Sequence, residues 1–384
     1  MEALSGGLRH YAWGSRRAIA ALRGRDGGDE PEAELWLGAH PDLPGTVLRS
    51  GRPAALDDLI AQRPEHWLGR DALARFGPRL PFLVKILAAE QPLSLQVHPE
   101  PAHAAARWST GYPGYTDAQH KPELLVALEP FDVLCGFRDP ARSAAALRAL
   151  AVEGGAAALL AGGELEAAVG LLMRVRGEDA RRLIATAATA RPPDEFAGDL
   201  ELLRLLADRY PADPAVLVSL LLNRRLLAPG EAVWMPAGNP HAYLRGTGVE
   251  VMAASDNVLR AGLTAKPVDV QEVLRVLRYE VLAEPVLRAE PAGDGVLAWD
   301  VPVDDFALRA VDVAAGGPSV TLSLPGPKVV VAIGHIWVGD DDGRIDLEPG
   351  QAAVGRAGAG ALTLGGAGRA FVASTAGASA AFNA

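Results

Sequence analysis

The chain has 384 residues and a net charge of -10, with 37 Lys and Arg against 47 Asp and Glu. At roughly 150 residues per domain this is enough for two or three domains with a sizeable core. The acidic balance argues against nucleic acid or an anionic membrane as partner, since both need a basic face to displace counterions. Cys135 is the one cysteine, which excludes an intramolecular disulfide and a cysteine-rich zinc motif. The opening residues lack the basic and apolar regions of a signal peptide. No apolar run approaches the roughly 20 residues of a membrane span; the longest, near 215–222, stops at Asn223-Arg224-Arg225. A soluble cytoplasmic chain is the expectation. Only four cations are lysines, Lys85, Lys121, Lys266 and Lys328, so in this arginine-rich chain each lysine marks a position to inspect.

Three textures follow in chain order. Up to about Arg138, short apolar runs at 34–38, 81–88, 93–98 and 124–128 are bounded by Gly, Pro and Asp, which predicts mixed or all-β structure. From Asp139 to about Leu222, apolar residues recur at three and four positions within 143–152, 164–175, 178–190 and 195–210, which predicts helices. After Pro229-Gly230 strand-like runs return, interrupted by a short helix near 268–277 that Asp269 can cap. From about 284 onward the chain reads as short β segments, and alternation at 361–364 and 371–373 favours closing strands over a Gly/Ala linker. The fold class is therefore mainly β with a helical insertion. The expected division is 1–138 with 223–283, then 139–222 as the inserted helices, then 284–384 as a C-terminal β domain.

Several polar residues sit where strand geometry would aim them. In Gln96-Val97-His98, at the end of an apolar run, residues two apart share a face, so Gln96 and His98 point the same way with Ser94 beside them. In His120-Lys121-Pro122-Glu123 the proline imposes an extended entry that aims Glu123 from the start of the next strand. His241 follows the turn-rich Met235-Pro236-Ala237-Gly238-Asn239-Pro240. Each has an ordinary structural reading when taken alone. Together, two imidazoles, a carboxylate and an amide oxygen make a zinc-type ligand set with room for water or substrate.

The segment from Gly230 to His241 resembles the second motif of the cupins, a Gly, five residues, Pro-x-Gly, two residues and His. The wider set is similar to the type I mannose-6-phosphate isomerases. It comprises Tyr11-Ala12-Trp13-Gly14, Ala33-Glu34-Leu35-Trp36-Leu37-Gly38, Gln96-Val97-His98-Pro99, His120-Lys121-Pro122-Glu123 and Pro240-His241-Ala242-Tyr243-Leu244. The closest block is Ser255-Asp256-Asn257-Val258-Leu259-Arg260-Ala261-Gly262-Leu263-Thr264-Ala265-Lys266 with the preceding Glu250-Val251-Met252. These blocks keep the family's order up to about residue 275, whereas the helical block and the last hundred residues agree only in texture.

The resemblance implies a cupin-type β-barrel (jelly-roll) catalytic domain, a cupin-like C-terminal domain and one Zn2+ per chain. The implied ligands are Gln96, His98, Glu123 and His241. It further implies interconversion of mannose 6-phosphate and fructose 6-phosphate by proton transfer through an enediolate. New negative charge on two neighbouring oxygens calls for a metal and a fixed guanidinium, and Arg260 resembles the family's active-site arginine. Glu250 is the first choice for general base, with Asp256 and Lys121 behind it; its ordinary reading is an exposed strand carboxylate. Lys85 and Lys266 match family lysines on the phosphate side, and Ser94 offers a hydroxyl. Trp13 and Tyr243 are candidate walls for the sugar, with Trp36 equally suited to the core. His40, His103 and His120 are left over, His120 being a candidate support for its neighbouring ligand, and Lys328 lies outside every block. The expected partner is a small sugar phosphate, with no nucleic acid or membrane, bound by a monomer. A non-catalytic sugar-phosphate-binding cupin is the competing expectation.

Overall fold

The computed structural model describes residues 1–376. Its middle is helical, through Pro140–Ala149, Ala156–Ala161, Leu165–Met173, Gly177–Ala188 and Ala197–Ala207. Gly177–Ala188 shows why: Ala180, Leu183, Ile184 and Ala187 form one buried stripe. Helix Ala156–Ala161 escapes the periodicity because it is six residues of Ala and Leu between glycine pairs, too short to display a period. Asp269 caps Val270–Val276 as expected, its side chain accepting from the Glu272 N–H. The first β portion also contains helices that the strand-like texture does not predict, among them Leu56–Gln62, Pro64–Phe76 and Pro101–Ser109. The last two start on a proline, which suits the first helical turn because the missing N–H has no partner there anyway. As bare sequence, those prolines read as strand breakers. Among the described residues no helix is long and apolar enough to cross a membrane.

Two large antiparallel sheets frame the molecule. The first runs Val286–Leu287, Ala232–Met235, Glu123–Ala127, His241–Ala253, Phe82–Ala89, Glu34–Gly38, Gly7–Arg9. The long strand His241–Ala253 belongs to two layers. Its second half pairs with Phe82–Ala89 and Glu123–Ala127, and its first half with Phe131–Phe137 and Leu95–Val97. It changes layer at Gly246, where φ is 137° and a Cβ would come within 2.6 Å of Phe131; only glycine tolerates both. The second sheet runs Glu2–Leu4, Ala352–Gly355, Lys328–Ala332, Leu362–Ser374, Ala307–Val313, Val296–Trp299, Glu290–Gly293. Its first strand comes from the opposite end of the chain, Glu2 pairing with Val354 and Leu4 with Ala352. Residues 2–4 thus leave the first β portion, to which their position in the sequence assigns them.

The two sheets pack face to face. Leu35, Val84, Ile86, Leu124, Val126, Val249 and Val251 share a core with Trp299, Leu308, Val329, Val331, Val354 and Phe371. At about 1.5–3 kcal/mol per fully buried large aliphatic or aromatic side chain, this shared core fixes which face of each strand is left for chemistry. Alternation sends Glu34, Trp36, Lys85, Glu123 and Glu250 the other way. They point into the chamber where Leu87, Ala89, Leu125 and Ala127 meet Val133, Cys135 and Tyr243 of the covering layer.

Candidate metal centre

Strand register assembles the site in rows. Trp36, Lys85, Glu250 and Leu125 are successive cross-strand partners, and so are Leu83, Met252, Glu123 and Met235. On the facing layer the row is Arg260, Gln96, His241, Cys135. His98, just past the end of strand Leu95–Val97 and two residues beyond Gln96, completes it. Residues from five separate motifs thus converge through ordinary antiparallel pairing.

His98, Glu123 and His241 are buried, and their ligand atoms all lie within 4.8 Å of one another. His98 Nε2 is 3.3 Å from Glu123 Oε1, and His241 Nε2 is 3.2 Å from Glu123 Oε2. Each imidazole is anchored from behind, His98 Nδ1 by the Asn257 carbonyl at 2.8 Å and His241 Nδ1 by the Asn239 carbonyl at 3.0 Å. A carbonyl accepts only from an N–H, so the proton sits on Nδ1 and the Nε2 lone pair faces the centre. Burial pushes the His98 pKa down to about 4, against the pull of Glu123, which keeps this ligand neutral. For Glu123 burial acts upward, but Lys121 and the two imidazoles outweigh it and hold the carboxyl well below its usual range. Lys121 donates to Glu123 Oε1 at 2.6 Å. The His98 Nε2 atom is buried with no hydrogen-bond partner, a costly position for a polar atom and one that a cation would satisfy. Two imidazoles and a carboxylate suit zinc, with Gln96 in register to add an oxygen.

Beside this cluster lies a second buried network. Glu250 is 2% exposed, so the alternative of a solvent-facing carboxylate falls away. Its Oε1 accepts from the Tyr243 hydroxyl at 2.7 Å and its Oε2 lies 3.1 Å from Lys85 Nζ. Lys85 also faces Glu34 at 3.7 Å, and the Trp36 indole donates to Glu34 at 2.7 Å. Burial opposes the charge on Lys85, yet Glu250 and Glu34 raise its pKa. Burial, then the charge of Glu250, drives the Tyr243 phenol well above its ordinary value, so it stays a donor. Lys85 thus lies between two carboxylates, Glu34 and Glu250.

The segment 255–257 joins the parts. The Asn257 side chain donates to the Asp117 and Gln119 carbonyls and accepts from the Thr116 N–H, while its own carbonyl holds His98. One buried asparagine therefore sets both a ligand and the loop leading to Lys121 and Glu123. Asp256 is paired with buried His40, Nε2 to Oδ2 3.2 Å, and that hydrogen bond is the main cause of its lowered pKa. His40 is thus no spare residue. Glu34, His40, Asn239 and Asn257 are the supports that sequence reasoning missed; a carbonyl acceptor leaves no mark in residue type.

Other expected residues are placed less centrally. Trp13 stacks on Tyr11 at 5.5 Å and packs, half-buried, against the cluster containing Tyr243. Ser94 is half-buried and one residue past Leu93, whose N–H reaches the Tyr243 carbonyl. Arg260 makes none of the ion pairs among the described residues, and Lys266 is exposed on the loop beyond it. His120 turns away from the cluster, its Nε2 lying 3.0 Å from Asp305 of the C-terminal part. His103 meets buried Glu272 at 2.7 Å.

Comparison with known proteins shows the family. The model of the type I phosphomannose isomerase catalytic domain matches residues 1–140. The mannose-6-phosphate isomerase of Escherichia coli is 35% identical, over 96% of this chain and 98% of that protein. The chain belongs to the type I phosphomannose isomerases. A family member from Schizosaccharomyces pombe is 31% identical over 89% of the chain and 91% of its own length. Phosphomannose isomerase from Salmonella typhimurium, in a mutant crystal structure, superposes with a TM-score of 0.90 at 32% identity, over 98% of this chain and 99% of that one. A zinc-bound mannose 6-phosphate isomerase structure gives 0.88 at 32% identity, over 97% and 99%. The phosphomannose isomerase catalytic match ends before His241, Glu250 and Arg260, so those positions are covered by the full-length relatives and by the geometry above.

Proposed function

We infer that the chain is a zinc-dependent aldose-ketose isomerase that interconverts mannose 6-phosphate and fructose 6-phosphate. The observation that carries this is the buried His98–Glu123–His241 cluster, with both Nδ1 atoms fixed, lying beside a buried Glu250 that Tyr243 and Lys85 hold in place. His98, Glu123, His241 and Gln96 are the ligands in this reading. When bound, zinc supplies the positive charge that polarises a substrate carbonyl and favours oxyanion character.

The remaining steps belong to the chain. Glu250 takes the proton from C2 of the open-chain aldose and returns it to C1, while the hydroxyl proton moves from O2 to O1. Its two oxygens are oriented by Tyr243 and Lys85, which leaves the carboxylate a fixed approach to the substrate. Arg260, one strand from Gln96, faces the negative charge of the enediolate. Lys121 keeps Glu123 ionised, and Asp256, steadied by His40, accepts a sugar hydroxyl. Lys266, Ser94 and Trp13 form the phosphate and sugar margin.

Around this site the first β portion is read as a cupin-type barrel, 139–222 as an inserted helical domain and 284–384 as a C-terminal β domain completed by strand Glu2–Leu4. All the residues invoked come from one chain, so the reading needs no second copy, and the partner is a small sugar phosphate in a cytoplasmic setting. A binding-only cupin is not favoured, because it would have no use for a buried base oriented on two sides. A coupled assay for fructose 6-phosphate tests the proposal: chelation abolishes turnover and zinc restores it. Undiminished turnover in chelator, with zinc shown to be removed, would overturn it.

A further inference from the structure

The C-terminal sheet holds a polar group that the isomerase chemistry does not use. In strand Ala307–Val313, Arg309 pairs with Val372, and Ser374 lies two residues further along Leu362–Ser374 on the same face. Lys328 is the direct cross-strand partner of Ser374 on its other side. Two cations and a hydroxyl therefore cross three adjacent strands on one face, the face that carries the apolar interior of Val311, Val330 and Val372. Ser374 is 1% exposed, and among the described residues its Oγ has no hydrogen-bond partner; one Arg309 Nη atom is likewise buried and unpartnered there. Among the described residues no carboxylate pairs with Arg309, and burial alone pulls its pKa down. Lys328 has one contact from its Nζ, the Arg356 carbonyl at 3.1 Å.

Both unpartnered groups line one cleft of about 1200 Å³, together with Ser323 and Trp299, whose indole N–H is also buried without an acceptor. Four aspartates also line the cleft: Asp304 pairs with Arg75 and Asp305 with His120, while Asp71 and Asp300, both exposed, make no ion pair among the described residues. Unpaired donors converging on a cavity of this size are what an anion site requires, since a buried guanidinium or hydroxyl without an acceptor is costly.

We propose that the C-terminal cleft binds the oxyanion group of a small polar metabolite, seated on Arg309 and Ser374 with Lys328 behind them and its remaining hydroxyls directed to Asp300. The site is separate from the metal centre and goes beyond the isomerase reading. It reaches that centre along one line of contact, because His120 lines the cleft and is followed directly by Lys121, which touches Glu123.

Calorimetric titration of the zinc-loaded full chain tests this, with inorganic phosphate as probe and acetate as a second arm to separate phosphoryl from carboxyl preference. Arg309→Gln is expected to weaken one class of binding by about tenfold or more, and Ser374→Ala by a few fold. Both variants are expected to keep wild-type kcat and KM for mannose 6-phosphate, which also certifies their folding. If Arg309→Gln fails to fold, Ser374→Ala decides by itself, as it removes one hydroxyl. Binding of both probes unchanged in the variants overturns the proposal. So does a weakening of phosphate binding matched by an equal rise in KM, which would place the anion in the isomerase site instead.

Discussion

The two β portions are built alike, each a seven-strand antiparallel run with a smaller layer folded over one face, and they share a core between their backs. Their chambers differ. In the first, charges occur in matched sets, Glu34 with Lys85, Lys85 with Glu250, Lys121 with Glu123, each within 4 Å. In the second, the interior is aliphatic, mostly Val, Leu and Ala, and among the described residues Arg309 and Lys328 have no carboxylate partner. The same scaffold thus supports chemistry only where charges are buried together. A lone buried ion is a desolvation cost, whereas paired ions with their hydrogen bonds satisfied can hold an orientation.

The contrast can be broken most severely at Glu250. Glu250→Gln keeps the shape and one acceptor but removes the proposed base, and kcat is expected to fall about a thousandfold with KM changed little; steady-state kinetics with zinc content checked in parallel would show this. A large rise in KM at unchanged kcat would instead make Glu250 a binding group.

Acid sharpens it next. In the metal-free chain His98 is held neutral, its folded pKa of about 4 lying below the ordinary 6.5. Below 6.5 the unfolded chain gains a proton that the folded one refuses, so stability present above pH 6.5 is lost as pH falls towards 4. The loss is at most about 3 kcal/mol for this shift. Urea unfolding between these pH values, with His98→Gln as reference, isolates the contribution: the variant should lose that part of the slope. An identical slope in both would remove His98 from the account.

The smallest effect is expected in the second chamber. Lys328→Met replaces a fully buried ammonium by an apolar chain of similar length and should stabilise the protein by about 1 kcal/mol while leaving turnover unchanged. A fall in kcat in this variant would mean that the chambers are not chemically independent.

How much of the fold and site is legible in the sequence depends on range. Residues two apart on a strand, such as Gln96 and His98, declare a shared face by their spacing, and the helical block shows its period over 12-residue stretches such as Gly177–Ala188. Contacts between distant segments declare nothing. His40 finds Asp256 and Asn257 finds Asp117 only after the sheet is assembled. The transfer of residues 2–4 to the far sheet is equally silent, because a three-residue strand carries too little pattern to choose a partner. Lys85 is recognisable as a position to inspect from its scarcity alone, yet its two carboxylate neighbours, Glu34 and Glu250, come from neighbouring strands and are not legible in the local sequence.

That short first strand has a consequence for the order of events at the ribosome. Glu2–Leu4 is made roughly 350 residues before its partner Ala352–Val354. At about 5–20 residues per second this is a wait of about 20–70 s. Throughout that interval Glu2–Leu4 has no Ala352–Gly355 edge to pair with, although the segments that carry Glu123, His241 and Glu250 have all been made by its end. Strand Glu2–Leu4 is therefore paired late, and a chain halted just before residue 352 carries every proposed zinc ligand but leaves that strand without its partner.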